Sequence, residues 1–235
     1  MTLDRYVRRV DPTGGTFVVR IWLPDRPGAL GAVASRIGAV RGDVVAIDVL
    51  ERGGGRAVDE LTVSLEDAEL IDLLVAEIGQ VDGVDVEDVR AIAATGVDRV
   101  VTALRAARFL AEAETRAAVE QLLCEQALVV LGADWVCLLD AGATAQLASA
   151  GSDPPPASWL AAFTHGVTSR NALDDVGSTS IDELTFAACR DGSTLVLSRV
   201  ALPLRAIECA VLDELVAIAS ARVGELGVAT LDRSA

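Results

Sequence analysis

The sequence contains no lysine; all 20 of its basic residues are arginine. A Walker phosphate loop needs a lysine at the phosphates, and Schiff-base chemistry needs a lysine amine. Both are excluded, and Ser–Lys dyads with them. There is one histidine, His165, in Phe163-Thr164-His165-Gly166-Val167, with no cysteine or carboxylate at ligand spacing nearby. Zinc sites and Ser–His–Asp triads lean on histidine, so His165 reads as a polar residue at a helix end. Serine–carboxylate pairs without His or Lys lack an activated nucleophile. The expectation is a protein that is not an enzyme, with no catalytic residues, no metal and no cofactor.

Other scarcities narrow the class further. Aromatics make up 3% of the chain, so cores must be small-grained, built from Ala, Val and Leu, and Trp22, Trp135 and Trp159 stand out. The four cysteines, Cys124, Cys137, Cys189 and Cys209, form no CxxC pair. A disulfide scaffold or zinc ribbon would be denser, and buried reduced thiols are expected. Met1 to Gly15 lacks the apolar stretch of a signal peptide. No apolar run approaches the ~20 residues of a membrane span; Asp134, Asp140, Asp153, Arg170 and Arg199 interrupt the greasy segments. A soluble, cytoplasmic protein is expected, without a membrane partner.

What is present is acid and small apolar residues. The formal net charge is −15, with 51% hydrophobic and 23% charged residues. An acidic chain repels phosphate backbones, so direct nucleic-acid binding is not expected. A length of 235 residues suits two small domains.

Residues 1–15 read as a flexible arm ending in Pro12-Thr13-Gly14-Gly15. Phe17, Val19, Ile21 and Leu23 then alternate with neighbours that include Arg20, the mark of a half-buried strand. After Pro24 to Gly28, residues Leu30, Val33, Ala34 and Ile37 share one helix face, and Gly42 follows where a left-handed cap favours glycine. Strands at Val44 to Glu51 and Ala57 to Leu65 flank Gly53-Gly54-Gly55, a hairpin; Leu61, Val63 and Leu65 point one way, Glu60, Thr62 and Ser64 the other. Glu66-Asp67 opens a helix with Ile71, Leu74, Val75 and Ile78 on its apolar face, and a strand from Val84 to Ile92 completes β-α-β-β-α-β, the split βαβ order of ferredoxin-like folds.

Thr95-Gly96 marks a boundary. A helix from Val97 to about Ala111 places Val97, Val100, Val101 and Leu104 on one face and reads as a connector (96–113). The remainder (114–235) reads as α-β-β-α-β-β-α around one antiparallel sheet: a helix to Leu131 carrying Val119, Leu122 and Leu123; strands Trp135 to Asp140 and Thr144 to Ala150; a helix Ala157 to His165; a polar stretch Arg170 to Ile181; a hairpin Leu184 to Ala201 turning at Arg190-Asp191-Gly192-Ser193; and a last helix, Ala206 to Gly224, with Ile207, Ala210, Val211, Leu215 and Ile218 facing one way. Asp174-Asp175 and Asp182-Glu183 read as solvated acid pairs, and Glu208 as a solvated or capping charge.

Leu23-Pro24-Asp25-Arg26-Pro27-Gly28-Ala29-Leu30 carries an acid, then Pro-Gly, then a helix with Leu near its start. Proline removes a donor, and glycine opens backbone geometries closed to other residues. The amides of Ala29, Leu30 and Gly31 open a helix without intrahelical partners and can hold a carboxylate at the positive helix end. Asp25 can pair with an ammonium. A carboxylate holder beside an ammonium holder suits an amino acid. The same residues also admit a plain reading, with Asp25 capping the helix and Pro27-Gly28 turning the chain.

This segment resembles the ACT-domain motif. Ala39 to Asp48 resembles the matching helix-to-strand turn, and the likeness spans about residues 16–93 of a domain read as 16–95. It implies a ferredoxin-like domain that pairs side by side as a homodimer and binds an amino acid at the seam, with Asp25, Arg26, Pro27, Gly28, Ala29, Leu30, Asp43 and Val44 as ligand-binding residues. The likeness departs at Asp43, where ligand-binding members often carry Asn; an extra carboxylate there repels the ligand's own, and Arg26 and Arg41 are placed to offset it. Leu131-Gly132-Ala133-Asp134-Trp135-Val136-Cys137-Leu138-Leu139, the hairpin at Leu195 to Arg199 and the closing helix are more weakly similar to GAF-like domains, which sense small molecules. The expected class is therefore α+β, an ACT-type domain followed by a GAF-like one. The expected function is a dimeric amino-acid sensor passing its signal to the second domain. The rival is a ligand-independent dimerisation module acting through a regulatory protein partner.

Overall fold

The computed structural model describes residues 15–92, 98–170, 179–181, 183–200 and 202–232, with side chains described for all of these except 165–170, 179–181 and 228–232. The arm up to residue 14, Thr95-Gly96 with Val97, the His165 side chain, Asp174, Asp175 and Asp182 lie outside the described residues. The fold is α+β, with two antiparallel sheets of four and five strands. The chain divides into two compact units, residues 1–96 and 97–235.

In the first unit, strand β1 (Gly15–Pro24) leads to helix α1 (Ala29–Ala39), strands β2 (Asp43–Gly53) and β3 (Arg56–Leu65), a single 3-10 turn (Ala68–Leu70), helix α2 (Ile71–Ile78) and strand β4 (Asp85–Ile92). The sheet order is β2-β3-β1-β4. Phe17, Val19, Ile21 and Leu23 of β1 and Leu61, Val63 and Leu65 of β3 bury one face under Val33 and Ile37 of α1 and Ile71, Leu74 and Ile78 of α2. Period-2 strands and period-3.6 helices meet here as their sequence patterns require.

The other face is not the solvated one that the alternation around Arg20 suggested. Arg20 is fully buried and donates to Glu60 Oε1 through Nε at 3.0 Å and a terminal nitrogen at 2.8 Å. Arg90 donates to the same oxygen at 2.7 Å and to Asp88 at 3.2 Å. A buried charge persists when paired and hydrogen-bonded, and antiparallel register places Arg20 opposite Glu60.

Gly42 also differs from expectation. Arg41, not Gly42, takes the left-handed backbone at φ 59°. Gly42 is needed for space: a Cβ there would lie 2.8 Å from Ile37 Cγ2 and 3.1 Å from its carbonyl oxygen.

The second unit runs α3 (Arg99–Glu112), α4 (Arg116–Leu131), β5 (Trp135–Leu139), β6 (Gln146–Gly151), α5 (Ala157–Arg170), β7 (Thr179–Ile181), β8 (Leu184–Ala188), β9 (Thr194–Ser198) and α6 (Ala206–Asp232). Its sheet order is β6-β5-β9-β8-β7. Strand β7 falls in the stretch read only as polar, α5 runs past His165, and α6 runs past Gly224. Val136, Leu138, Leu195 and Leu197 pack one sheet face against α3, α4 and α6. Trp135, Cys137, Leu139 and Val196 pack the other against Leu160 of α5.

Burial in two helices does not follow their apolar patterns. In α3 the Val100, Val101 and Leu104 face is exposed, and Ala106 and Leu110 are buried instead. In α6 Ile207 is exposed, and Leu212, Leu215, Val216 and Ala219 form the buried stripe. Glu208 is not solvated. It is 1% exposed and takes a bidentate pair from Arg199 at 2.7 and 2.8 Å. Its Oε2 accepts the Arg205 amide at 2.9 Å, so Glu208 caps the start of α6 as well. Arg199 also donates to the carbonyls of Leu131, Leu202 and Pro203, tying the α4 terminus to the approach to α6.

Candidate functional site

The β1–α1 turn is held by its backbone. The Asp25 amide donates to the Gly55 carbonyl of the β2–β3 hairpin at 3.0 Å, and the Arg26 amide to the Pro24 carbonyl at 2.8 Å. Gly28 caps α1 in the left-handed region at φ 89°, a conformation that strains residues with a Cβ. No side chain caps this helix end. The first intrahelical bond runs from the Ala32 amide to the Gly28 carbonyl.

The Ala29 amide is not available as expected; it donates to the Arg26 carbonyl at 3.3 Å. Among the described residues no protein group accepts from the amides of Leu30 or Gly31. Those two donors, with the positive helix end, remain as the carboxylate-binding feature. Asp25, Arg26, Pro27 and Gly28 are exposed in the turn, Ala29 is buried, and Leu30 is half-buried.

Asp43 and Val44 are not brought to this turn within one subunit. Pro24 pairs with Arg56 at one end of β3, and Asp43 pairs with Ser64 at the other. At roughly 3.4 Å per residue the two ends are about 27 Å apart along the strand. Of the two arginines expected to offset Asp43, Arg41 stands at the Asp43 end, while Arg26 stands in the turn at the other end.

Asp59 was not read from the sequence. It lies on β3 between Ile21 of β1 and Val49 of β2, on the helix-facing side with Ala57, Leu61 and Val63. It is 4% exposed, and its Oδ1 is buried without a hydrogen-bond partner. Burial pushes its carboxyl above the ordinary aspartate range, Arg52 pulls it down, and the charge of Asp25 pushes it up again. Asp59 is thus a nearly buried acid whose inner oxygen has no donor, three positions along β3 from the Arg56 that pairs with Pro24. The signal was present in the sequence: Asp59 occupies the same alternate phase as Leu61, Val63 and Leu65, and an acid in an apolar phase stands out.

The cysteines of the second unit are not paired. Burial raises the thiols of Cys124 and Cys137 to about 12 and about 11. Trp135 and Cys137 are buried core residues of β5. Among the described residues no group of three or more His, Cys, Asp or Glu side chains is placed to hold a metal ion. No helix among them is long and apolar enough to cross a membrane.

Fold and turn thus describe a sheet domain with an uncapped helix end and a buried, unsatisfied acid. No protein-family model matches the chain, and no curated protein matches it in sequence. Among solved structures, an ACT domain from the GTP pyrophosphokinase of Chlorobium tepidum is 18% identical, with a TM-score of 0.28 over 34% of this chain and 100% of that one. Myxococcus xanthus MglB is 13% identical, with a TM-score of 0.37 over 48% of this chain and 94% of that one. A bacteriophytochrome from R. palustris is 11% identical, with a TM-score of 0.45 over 94% of this chain and 60% of that one. Structural neighbours therefore include ACT domains and phytochromes, and such distant likenesses say nothing of ligand or role.

Proposed function

We propose that the chain is a small-molecule sensor without catalytic chemistry of its own, and that the first unit binds an amino acid or a closely related zwitterion. The observation that carries this is Asp59, a nearly buried carboxylate whose inner oxygen lacks a donor, three positions along β3 from the residue that pairs with Pro24 at the turn opening α1. Buried polar groups are ordinarily satisfied, and a ligand ammonium is the donor this carboxylate lacks. The free Leu30 and Gly31 amides suit the ligand's carboxylate.

Pairing of two copies along β2 completes the site in this reading. The edge strand leaves Val45, Ile47 and Val49 exposed, and an apolar edge favours strand pairing. Antiparallel pairing along β2 brings the partner chain's Asp43 end to the Gly53 end of this chain, where Asp25 is held. Ligand then favours one arrangement of the pair only to the extent of its differential affinity, and the second unit is the responding part.

Thermal shift and calorimetry against the common amino acids at millimolar concentration test the ligand. Stabilisation by at least one of them, lost in Asp59→Asn, is expected. No stabilisation by any of them refutes the sensor. Sedimentation tests the seam: Val49→Lys should shift a dimer towards monomer, and a wild-type monomer refutes it. A stable dimer blind to every amino acid would favour the interaction module, for which the same exposed β2 edge speaks.

A further inference from the structure

The second unit holds a cavity of about 320 Å³ between α4, α6 and the β8–β9 turn, at the small end of the range for small-molecule sites. Its walls are apolar: Val119 and Leu123 from α4, Leu138 from β5 and Val223 from α6. The space follows from the sequence of α6, which lines it with Ala219-Ser220-Ala221 and Gly224, residues too small to fill it.

The mouth carries charge of both signs, and most of it is spoken for. Asp191 accepts from the Ser193 amide at 3.0 Å and hydroxyl at 2.6 Å, and from Arg116 at 2.5 Å. Arg116 also holds Glu120 at 2.7 Å. The Cys189 thiol is pushed up by burial despite its hydrogen bonds to Ser193 and Ser220, and is a neutral wall rather than a nucleophile. Arg190 differs. Its amide donates to Ser220 Oγ at 3.3 Å, which fixes the turn, but among the described residues its guanidinium has no partner. An unpaired guanidinium on the lip of an apolar cavity suits a planar anion taken by two parallel hydrogen bonds.

We propose that this cavity binds a compact monocarboxylate with an apolar body, its hydrocarbon against Val119, Leu123 and Leu138 and its carboxylate on Arg190. The cavity is lined only by residues of the second unit, and the proposal does not depend on the reading given to the β1–α1 turn of the first.

Calorimetry of the full chain with octanoate, octanol and octylamine tests it. Octanoate should bind about ten-fold or more tighter than octanol, and octylamine should not bind. Arg190→Gln should lower octanoate affinity about ten-fold without changing the melting temperature. Gly224→Leu should abolish binding. An added Cβ at Gly224 meets nothing within 4 Å, and leucine suits a helix better than glycine, so this variant should melt no lower than wild type. Asp59→Asn should leave octanoate binding unchanged. No octanoate binding at millimolar concentration, or binding that survives Gly224→Leu, overturns the site. Equal affinity for octanoate and octanol, or indifference to Arg190→Gln, overturns the carboxylate.

Discussion

Replacing Asp59 with asparagine should stabilise the unliganded protein. The change is isosteric, so the contacts to Ile21 and Val49 neighbours survive, and what is removed is a charge that no described donor satisfies. An unsatisfied buried group costs about 1–3 kcal/mol, more when charged; recovering the charged part should raise stability by about 1 kcal/mol near pH 7. For a chain of this size that is about 2–4 °C in melting temperature, more if the first unit melts alone.

The sign against pH is fixed by the direction of the shift. Asp59 has a folded pKa above its unfolded value. Its contribution to stability is fully present below the unfolded value and is lost as pH rises through the folded one. Wild type and Asp59→Asn should therefore match closely at pH 3 and diverge as pH rises past the ordinary aspartate range, with the variant the more stable. Arg52→Gln should widen the gap, since Arg52 lowers the Asp59 carboxyl. Urea or thermal melts followed by circular dichroism from pH 3 to pH 8 read this directly. A variant less stable than wild type at pH 7, or a difference that does not change with pH, would refute the account of Asp59 as an unpaired carboxylate.

Glu208→Ala leaves Arg199 buried without its carboxylate and should cost about 3–5 kcal/mol in urea unfolding; a loss below ~1 kcal/mol would mean that the carbonyls of Leu131, Leu202 and Pro203 suffice for Arg199. Gly151→Ala puts a Cβ 2.3 Å from the Asp134 carbonyl oxygen at a backbone φ of 91°. It should destabilise by about 2 kcal/mol or more, seen as a lowered melting temperature. Cys124 and Cys137, their thiols pushed up by burial to about 12 and about 11, should resist iodoacetamide at pH 8 in the folded protein and react fully in urea, with mass spectrometry counting the labels.

Local patterns carried the first unit far. The alternation in β1 and β3, the helical spacing of Val33 with Ile37 and of Ile71, Leu74 and Ile78, and the glycine hairpin all stand where their chemistry requires. The turn at Asp25-Arg26-Pro27-Gly28 was legible for the same reason: proline, glycine and a helix start are each local statements. Asp59 was legible in principle, as an acid in an apolar phase, but its meaning needs the register that sets it between Ile21 and Val49.

Residue order alone therefore determined where the chain turns, which strand and helix faces of the first unit are apolar, and that lysine chemistry is impossible. Tertiary structure decided the rest. Arg20 is buried because Glu60 arrives beside it from a distant strand, and Glu208 because Arg199 reaches it across the approach to α6. The face of α3 that is covered, the separation of Asp43 from Asp25 and the void beside α6 were likewise settled by packing. The physical reason is common to all of them. Periodicity reports the preference of one segment for water or oil, while burial of a charge, the filling of a cavity and the meeting of two loops depend on which other segment comes to lie against it.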